Sequence, residues 1–451
     1  MWLSCIKHTD IIHRSIAFLA LLAWLSLALE LKLILGPKGL YPIQESMRLV
    51  AESRQFSTFP THFWWDVTGE TLWLGLGVGV LSSLLAMANR WARPALAVSA
   101  FFYLSYCTVG RDFFSFQWDS LMVELCFIGV LIPTAQPTRR AQWLPRLLLF
   151  KIMFFSGIAK WQSHLGDWQD GSAMSYYYET APLPTWIGWY AHHLPAWWHS
   201  FESWWTLFFE LAVPFLLFGN LRMRQAAAAI FALFFVVDVA TASYGFFVPQ
   251  AALLTLLCCL DRSPTEEKSK RMLALNGLVI GGFSFLSACI GLNRFADGHV
   301  LTVLTEPAQR YHLVNAYHLF GHITRERIEP VIAVLADGEW VELDFHAKPG
   351  DPMRAPGFMT PIQPRVDFRL WFYGLGYRRG APPYVERLLE RICNEPAAVQ
   401  GLFETELPAA EAVELRFYEY HFCTPTEKAE SGCWWSRELQ NQSDAIDCDI
   451  F

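Results

Sequence analysis

Nine predominantly apolar stretches recur in the first 292 residues, at 13–35, 71–89, 93–109, 118–133, 145–162, 203–218, 225–243, 245–260 and 272–292. Each is about 15 to 22 residues long, which at about 1.5 Å of rise per residue approaches the thickness of a bilayer's hydrocarbon core. No water is available there to satisfy backbone N–H and C=O groups, so the fold left open to such segments is a bundle of helices. Composition agrees, since charged residues make up 17% of the chain against roughly 25% in soluble domains. The 20 Trp and 35 Phe fit a chain that anchors itself at lipid headgroups. A set of soluble domains, intrinsic disorder and a fibrous repeat are thereby excluded. A net charge of −7 with no basic run excludes a nucleic-acid binder.

Lys7 and Arg14 precede the first stretch and Ser26-Leu27-Ala28 imitates a signal-peptide cleavage site, but the apolar run continues through 31–35 and predicts a retained helix. With the amino terminus in the cytosol and nine crossings, the cytosolic loops hold Arg90 and Arg93, then Arg139, Arg140 and Arg146, then Arg222 and Arg224, then Arg262, Lys268, Lys270 and Arg271. The opposite loops offer Lys38, Arg48, Arg54 and Arg111. That bias follows the positive-inside rule and puts everything after residue 292 outside the cytosol. The stretches at 93–109 and 245–260 are short and the weakest of the nine, and losing one of them would reverse the carboxyl-terminal side.

An outer loop at 163–202 packs Trp168, Tyr176, Tyr177, Tyr178, Trp186, Trp189, Tyr190, Trp197 and Trp198 among Pro182, Pro184 and Pro195, and is expected to be ordered. The transmembrane domain is therefore taken as 1–292, a soluble extracytosolic α+β domain as 293–437 and a polar, loosely held tail as 438–451. Within the soluble domain, 331–336, the Asp337-Gly338 turn and 340–345 predict a hairpin, 413–422 a further strand and 384–393 a helix. Asn441-Gln442-Ser443 is a glycosylation sequon in a eukaryotic cell. Of ten cysteines, Cys5 lies on the cytosolic side, Cys107, Cys126, Cys258, Cys259 and Cys289 are packing residues, and Cys393, Cys423, Cys433 and Cys448 lie outside. The outer four match no zinc spacing and form either disulfides or ordinary thiols. No metal site or cofactor is expected.

Ionisable groups in a span cost about 2.5 to 3.5 kcal/mol at the helix centre, so each calls for a partner or a purpose. Glu124, Lys151, Lys160, Glu210 and Asp238 qualify. Lys151 and Lys160 are near enough to helix ends to snorkel, whereas Glu124 and Glu210 either pair with Lys151, Lys160 or Arg111 or line a polar pocket beneath the aromatic loop. Arg325, Arg327, Arg365, Arg369, Arg378 and Arg379 are read as solvated positions, with headgroups or an acidic client as the alternative.

Several blocks resemble the lipase maturation factor family. They are Ser115-Phe116-Gln117-Trp118-Asp119 with Glu124, then Phe150-Lys151-Ile152-Met153-Phe154-Phe155-Ser156-Gly157-Ile158-Ala159-Lys160, Gly166-Asp167-Trp168, Tyr178-Glu179-Thr180-Ala181-Pro182-Leu183-Pro184 and Phe209-Glu210-Leu211-Ala212-Val213-Pro214-Phe215. Further along come His312-Leu313-Val314-Asn315, Phe320-Gly321, Thr324-Arg325-Glu326-Arg327, Phe345 with Lys348-Pro349-Gly350-Asp351-Pro352, Gln363-Pro364-Arg365 with Asp367, Trp371-Phe372 and Trp434-Trp435. The ordered set spans roughly 100 to 437. The chain departs from the family at Tyr177, where a histidine is usual, at Ala181 in place of glutamine, and at Ala242-Ser243 in place of Gly-Asn.

The resemblance implies a multi-pass protein of the endoplasmic reticulum or a bacterial inner membrane, with membrane lipids and a secreted or exported client, such as a lipase or other hydrolase, as partners. The start close to the first stretch, without a lumenal retrieval signal, leads to the expectation of a bacterial chain. Candidate pocket residues are Trp118, Asp119, Glu124, Asp167, Trp168, Tyr178, Glu179, Thr180, Pro182, Pro184 and Glu210. Candidate client-binding or docking residues are Lys348, Gly350, Asp351, Gln363, Pro364, Arg365, Asp367, Trp371, Trp434 and Trp435. A second resemblance, of Gly157-Ile158-Ala159-Lys160, Asp167-Trp168 and Gly171-Ser172-Ala173-Met174 to vitamin K-dependent gamma-carboxylases, implies a rival function. Lys160 would then act as a base with a lipid-soluble cofactor. A transporter using Glu124, Glu210 and Asp238 ranks last, because no internal repeat is visible.

Overall fold

The first apolar stretch folds as one uninterrupted helix, α1 (His8–Leu35), with Ser26 buried inside it. The computed structural model describes residues 8–51, 55–134, 138–259, 269–295 and 301–451. Cys5, Lys7, Arg54, Arg262 and Lys268 lie outside the described residues. After the short α2 (Ile43–Ala51), the other apolar stretches fall on α3 (Gly69–Met87), α4 (Ala92–Gly110), α5 (Gln117–Leu131), α6 (Arg139–Trp161), α9 (Ala196–Leu211), α10 (Leu221–Thr241), α11 (Phe247–Cys259) and α12 (Lys270–Phe295). The outer loop is ordered by α7 (Ala173–Thr180) and α8 (Trp186–His192).

Among the described residues, five of these segments are long and apolar enough to cross a membrane: Asp10–Leu35, Gly69–Met87, Ala196–Phe218, Leu221–Thr241 and Lys270–Phe295. Five rather than nine meet that measure for physical reasons. Helices α5 and α11 have 15 and 13 residues, polar Ser99, Tyr103, Ser105 and Thr108 dilute α4, and α6 carries Arg139, Arg140, Arg146, Lys151 and Lys160.

Local chemistry explains several helix starts and crossings. Thr68 and Asn220 cap α3 and α10 by accepting from the N–H groups of Thr71 and Met223. Helices α1 and α3 approach closely because Gly79 has no side chain; a Cβ there would lie 2.1 Å from the Trp24 ring. Trp24 in turn donates to Ser99 of α4 at 3.0 Å.

Beyond α13 (Thr302–Arg310), an irregular segment at 312–323 leads into a five-stranded antiparallel sheet. Strands β1 (Ile328–Ala336) and β2 (Glu339–Leu343) form the expected hairpin. Asp337 and Gly338 both adopt positive φ, as a two-residue hairpin loop requires. The spatial order is β2-β1-β3-β4, with β3 (Ala412–Phe422) central, β4 (Trp435–Gln442) outside it and β5 (Ile446–Asp447) also paired with β3. Helices α14 (Arg365–Leu375) and α15 (Pro383–Asn394) accompany the sheet, with short α16 (Pro396–Val399) and α17 (Pro425–Ser431) in its connections. Helix α14 sits so near β1 that a Cβ on Gly374 would lie 1.9 Å from the Ile328 carbonyl oxygen.

The expectation of a loose tail is corrected. Residues 438–442 continue β4, and Cys448 is bonded to Cys393. A second disulfide joins Cys423 and Cys433, so all four outer cysteines are oxidised, while Cys107, Cys126, Cys258 and Cys289 are buried thiols.

Candidate functional site

Lys151 and Lys160, expected to snorkel, do not; both are buried and paired. Lys151, midway along α6, bonds the Glu124 carboxylate of α5, and Lys160, near the carboxyl-terminal end of α6, lies 2.8 Å from Glu210 of α9. Charges this deep persist only when their remaining hydrogen-bonding capacity is also met. For Glu124 that capacity is filled by the Asn315 backbone and side-chain N–H groups at 3.2 and 2.9 Å and the Tyr317 hydroxyl at 2.6 Å. Lys160 donates additionally to the Leu319 carbonyl at 2.8 Å.

These partners belong to the connecting segment at 312–323, which threads the bundle as a strap. His312 meets Ser120 at 2.7 Å, the His318 N–H donates to Gln117 at 2.8 Å and the Leu319 N–H to Ser156 at 3.2 Å. Trp168 donates to the Phe320 carbonyl at 3.2 Å, and Asp167 accepts from the Ile323 N–H at 2.7 Å. Burial pushes the His318 imidazole down to about 4, so it sits neutral in this setting.

Two cavities flank the strap. The first, of about 360 Å³, lies between α6, α9 and α10 and is lined by Lys160, Glu210, Trp168, Tyr178, Asp238 and the aromatic face of α9. The second, of about 380 Å³, separates bundle from sheet domain and is lined by Trp118, Thr180, Pro182, His318, Trp371 and Phe372. Tyr177, Leu319 and Phe320 border both. The candidate pocket residues therefore divide: Trp168, Tyr178 and Glu210, beside the candidate base Lys160, line the first cavity and Trp118, Thr180 and Pro182 the second. Asp119, Glu124, Asp167, Glu179 and Pro184 line neither and serve as buried anchors.

The sheet domain is locked onto the bundle by further buried groups. Arg365, at the start of α14, grips Asp119 of α5 through two hydrogen bonds of 2.7 and 2.8 Å. It also donates to the Phe113 carbonyl at 2.7 Å and lies 4.1 Å over the Phe114 ring. Arg327 pairs with Glu329 at 2.6 Å and donates to the carbonyls of Glu179, Ala181 and Pro182. Glu179 reciprocates by accepting from the Phe422 N–H at 2.7 Å and meeting His421 at 3.1 Å. Trp371 donates to the Thr180 carbonyl at 3.1 Å, and Pro184 bridges to Ala242. The reading of the arginines as solvated is corrected for Arg327 and Arg365, both 0% exposed.

Most candidate client residues are likewise interior. Lys348 pairs with Glu329 at 3.0 Å. Asp367 accepts from the Ala347 and Lys348 N–H groups at 3.0 and 3.2 Å; burial nevertheless raises its carboxyl above the usual carboxylate range. The Gln363 N–H donates to Ser26 at 3.0 Å, Pro364 precedes α14 as its cap, and the Gly350 carbonyl accepts from Tyr420 at 2.7 Å. Trp435 stacks on Phe422. Asp351 is exposed, and Trp371 and Trp434 are half-buried.

Tyr177, the departure from the family histidine, donates to Asp238 and shares a contact with Tyr244, both at 2.9 Å. Sequence reasoning assigned no role to Ser156, Asn315, Tyr317 or Leu319, although the blocks around 312–321 were its signal.

The chain matches the family described as lipase maturation factor transmembrane domain over residues 8–266, and that described as lipase maturation factor C-terminal domain over residues 313–445. It is similar to Lipase maturation factor 1 of Bos taurus and of Homo sapiens, each 27% identical over 95% of this chain, covering 86% and 85% of those proteins. Lipase maturation factor 2 of Homo sapiens is 26% identical over 94% of this chain and 80% of its own length. No solved structure matches.

Proposed function

The chain belongs to the lipase maturation factor family, and on that premise we propose that it is a membrane-embedded maturation factor whose sheet domain engages an exported client, lipase-like or another hydrolase. The observation that carries this reading is the ordered match of both regions, bundle and carboxyl-terminal domain, across nearly the whole chain. The rigid seating of the sheet domain adds to it, because a client would meet a fixed platform at the membrane surface. Asp351, Pro364, Trp371 and Trp434 are the candidate client residues with exposed surface.

Helix direction supports a nine-crossing arrangement with this platform outside the cytosol. Helices α1, α4, α6 and α10 meet the strap or sheet domain near their carboxyl-terminal ends, through Ser26, Tyr103, Lys160 and the Ser243 that follows α10. Helix α5 meets them near its amino-terminal end, through Asp119. Alternation of this kind is what consecutive crossings produce, and the arginine bias assigns the side. An inner-membrane or reticulum location follows from the source cell.

The rival reading of Lys160 as a base finds no support, since its ammonium is held by both Glu210 and the Leu319 carbonyl. The test is removal of the protein from its own cell and measurement of each exported hydrolase's activity per secreted molecule. A selective fall in one hydrolase, restored by the intact chain and weakened by Trp434→Ala, is expected. Unchanged specific activity of every exported hydrolase would overturn the proposal.

A further inference from the structure

The cavity between α6, α9 and α10 has the makings of a lipid site. Its rim is formed by Phe201 and Trp205 of α9 and Leu233 and Val237 of α10, which are 46%, 40%, 61% and 42% exposed. On helices apolar enough to span a bilayer, exposure of that kind faces acyl chains, so the cavity opens sideways into the membrane. Its volume of about 360 Å³ falls within the usual range for small-ligand pockets, roughly 300 to 1,000 Å³.

The inner end is polar and carries an excess of carboxylates. Glu202, Glu210 and Asp238 line it against the single cation Lys160, whose charge Glu210 already meets. Asp238 takes one side-chain hydrogen bond among the described residues, from Tyr177 to Oδ1, leaving acceptor capacity turned toward the cavity. A head that donates hydrogen bonds is welcome here, whereas a carboxylate or phosphate would have to give up its water in a low-dielectric pocket whose lysine is already met by Glu210.

We propose that this cavity binds a single-chain lipid with a neutral, hydroxyl-bearing head, the chain leaving between α9 and α10 and the hydroxyl donating to Asp238. Leu319 and Phe320 of the strap form part of its wall, so the bound chain packs against the join to the sheet domain.

The intact protein in lipid nanodiscs is titrated with a monoacylglycerol carrying a brominated chain, and quenching of Trp168, Trp198 and Trp205 in the cavity wall is followed by fluorescence. Saturable quenching is expected, displaced by unbrominated monoacylglycerol and poorly by the fatty acid of the same chain length. Asp238→Asn, which replaces the free acceptor oxygen by an amide donor, should weaken binding by about tenfold and reduce the preference over the fatty acid, the size expected for one hydrogen bond. Quenching that rises without saturation, equal displacement by the fatty acid, or unchanged affinity in Asp238→Asn would each overturn the proposal. If that variant does not insert, the competition in the unaltered protein decides alone.

Discussion

Asp119 and Arg365 lie 246 residues apart in sequence and are joined by two hydrogen bonds of 2.7 and 2.8 Å in the interior, one in the first turn of α5 and the other at the first residue of α14. Neither side chain has any exposed surface. Removing one partner strands the other's charge, which typically costs about 3–5 kcal/mol, while replacing both by apolar groups of similar size is far milder. Asp119→Leu and Arg365→Met should each lower the melting temperature in detergent and expose the strap to protease. The double variant should be more stable than either single one.

The same logic separates structure from catalysis at Lys160. Lys160→Met alone leaves Glu210 buried without its cation and should reduce the amount of inserted protein. Combined with Glu210→Leu it should recover both insertion and client maturation. A double variant that inserts normally yet has lost all function would show that the ammonium does more than pair.

Tyr317 donates to Glu124 at 2.6 Å, a hydrogen bond to a charged acceptor of the kind worth about 1.5–3 kcal/mol. Tyr317→Phe removes that donor and keeps the ring. Hydrogen exchange should quicken at the strap amides of Asn315 and Leu319, whose acceptors are Glu124 and Ser156, with little change in β1 and β3. Uniform quickening across the protein would mean that the strap is not a separable unit.

Acid should loosen the sheet before the bundle. Burial pushes the Glu342 carboxyl up, but hydrogen bonds from Tyr418 and Arg416 and the charge of Arg437 outweigh it and hold the group below its ordinary value of 4.5. A carboxyl depressed in the folded state stabilises fully above its unfolded value, and that contribution is lost as pH falls through 4.5 and below the folded value. Stability of the sheet domain, followed by hydrogen exchange, should decline over that interval, and Glu342→Gln should flatten the decline while lowering stability at neutral pH.

The bundle was more legible than the join. Glu124 and Glu210 announced themselves because a carboxylate in an apolar run has few explanations, and both proved to pair with the lysines of α6. Arg327 and Arg365 did not, since they sit in stretches where other charges are common and a buried arginine leaves the same letter as a solvated one. Strand β4 was missed because, beyond its buried first residue Trp435, its side chains are mostly exposed on both faces; without alternation, an edge strand looks like a polar tail. The strap was hidden for another reason. Many of its contacts use backbone N–H and C=O groups, which every residue possesses, so no composition or period marks them.

Asp119, Asp167, Glu179, Arg327, Lys348 and Arg365, all within family-like blocks, are buried and spent on partners inside the molecule. Two chains can share every one of these contacts and still present different outward faces, because nothing in the shared set reaches a visitor. What kinship transmits here is a chassis, and the identity of the cargo is written in the residues that kinship leaves free to differ.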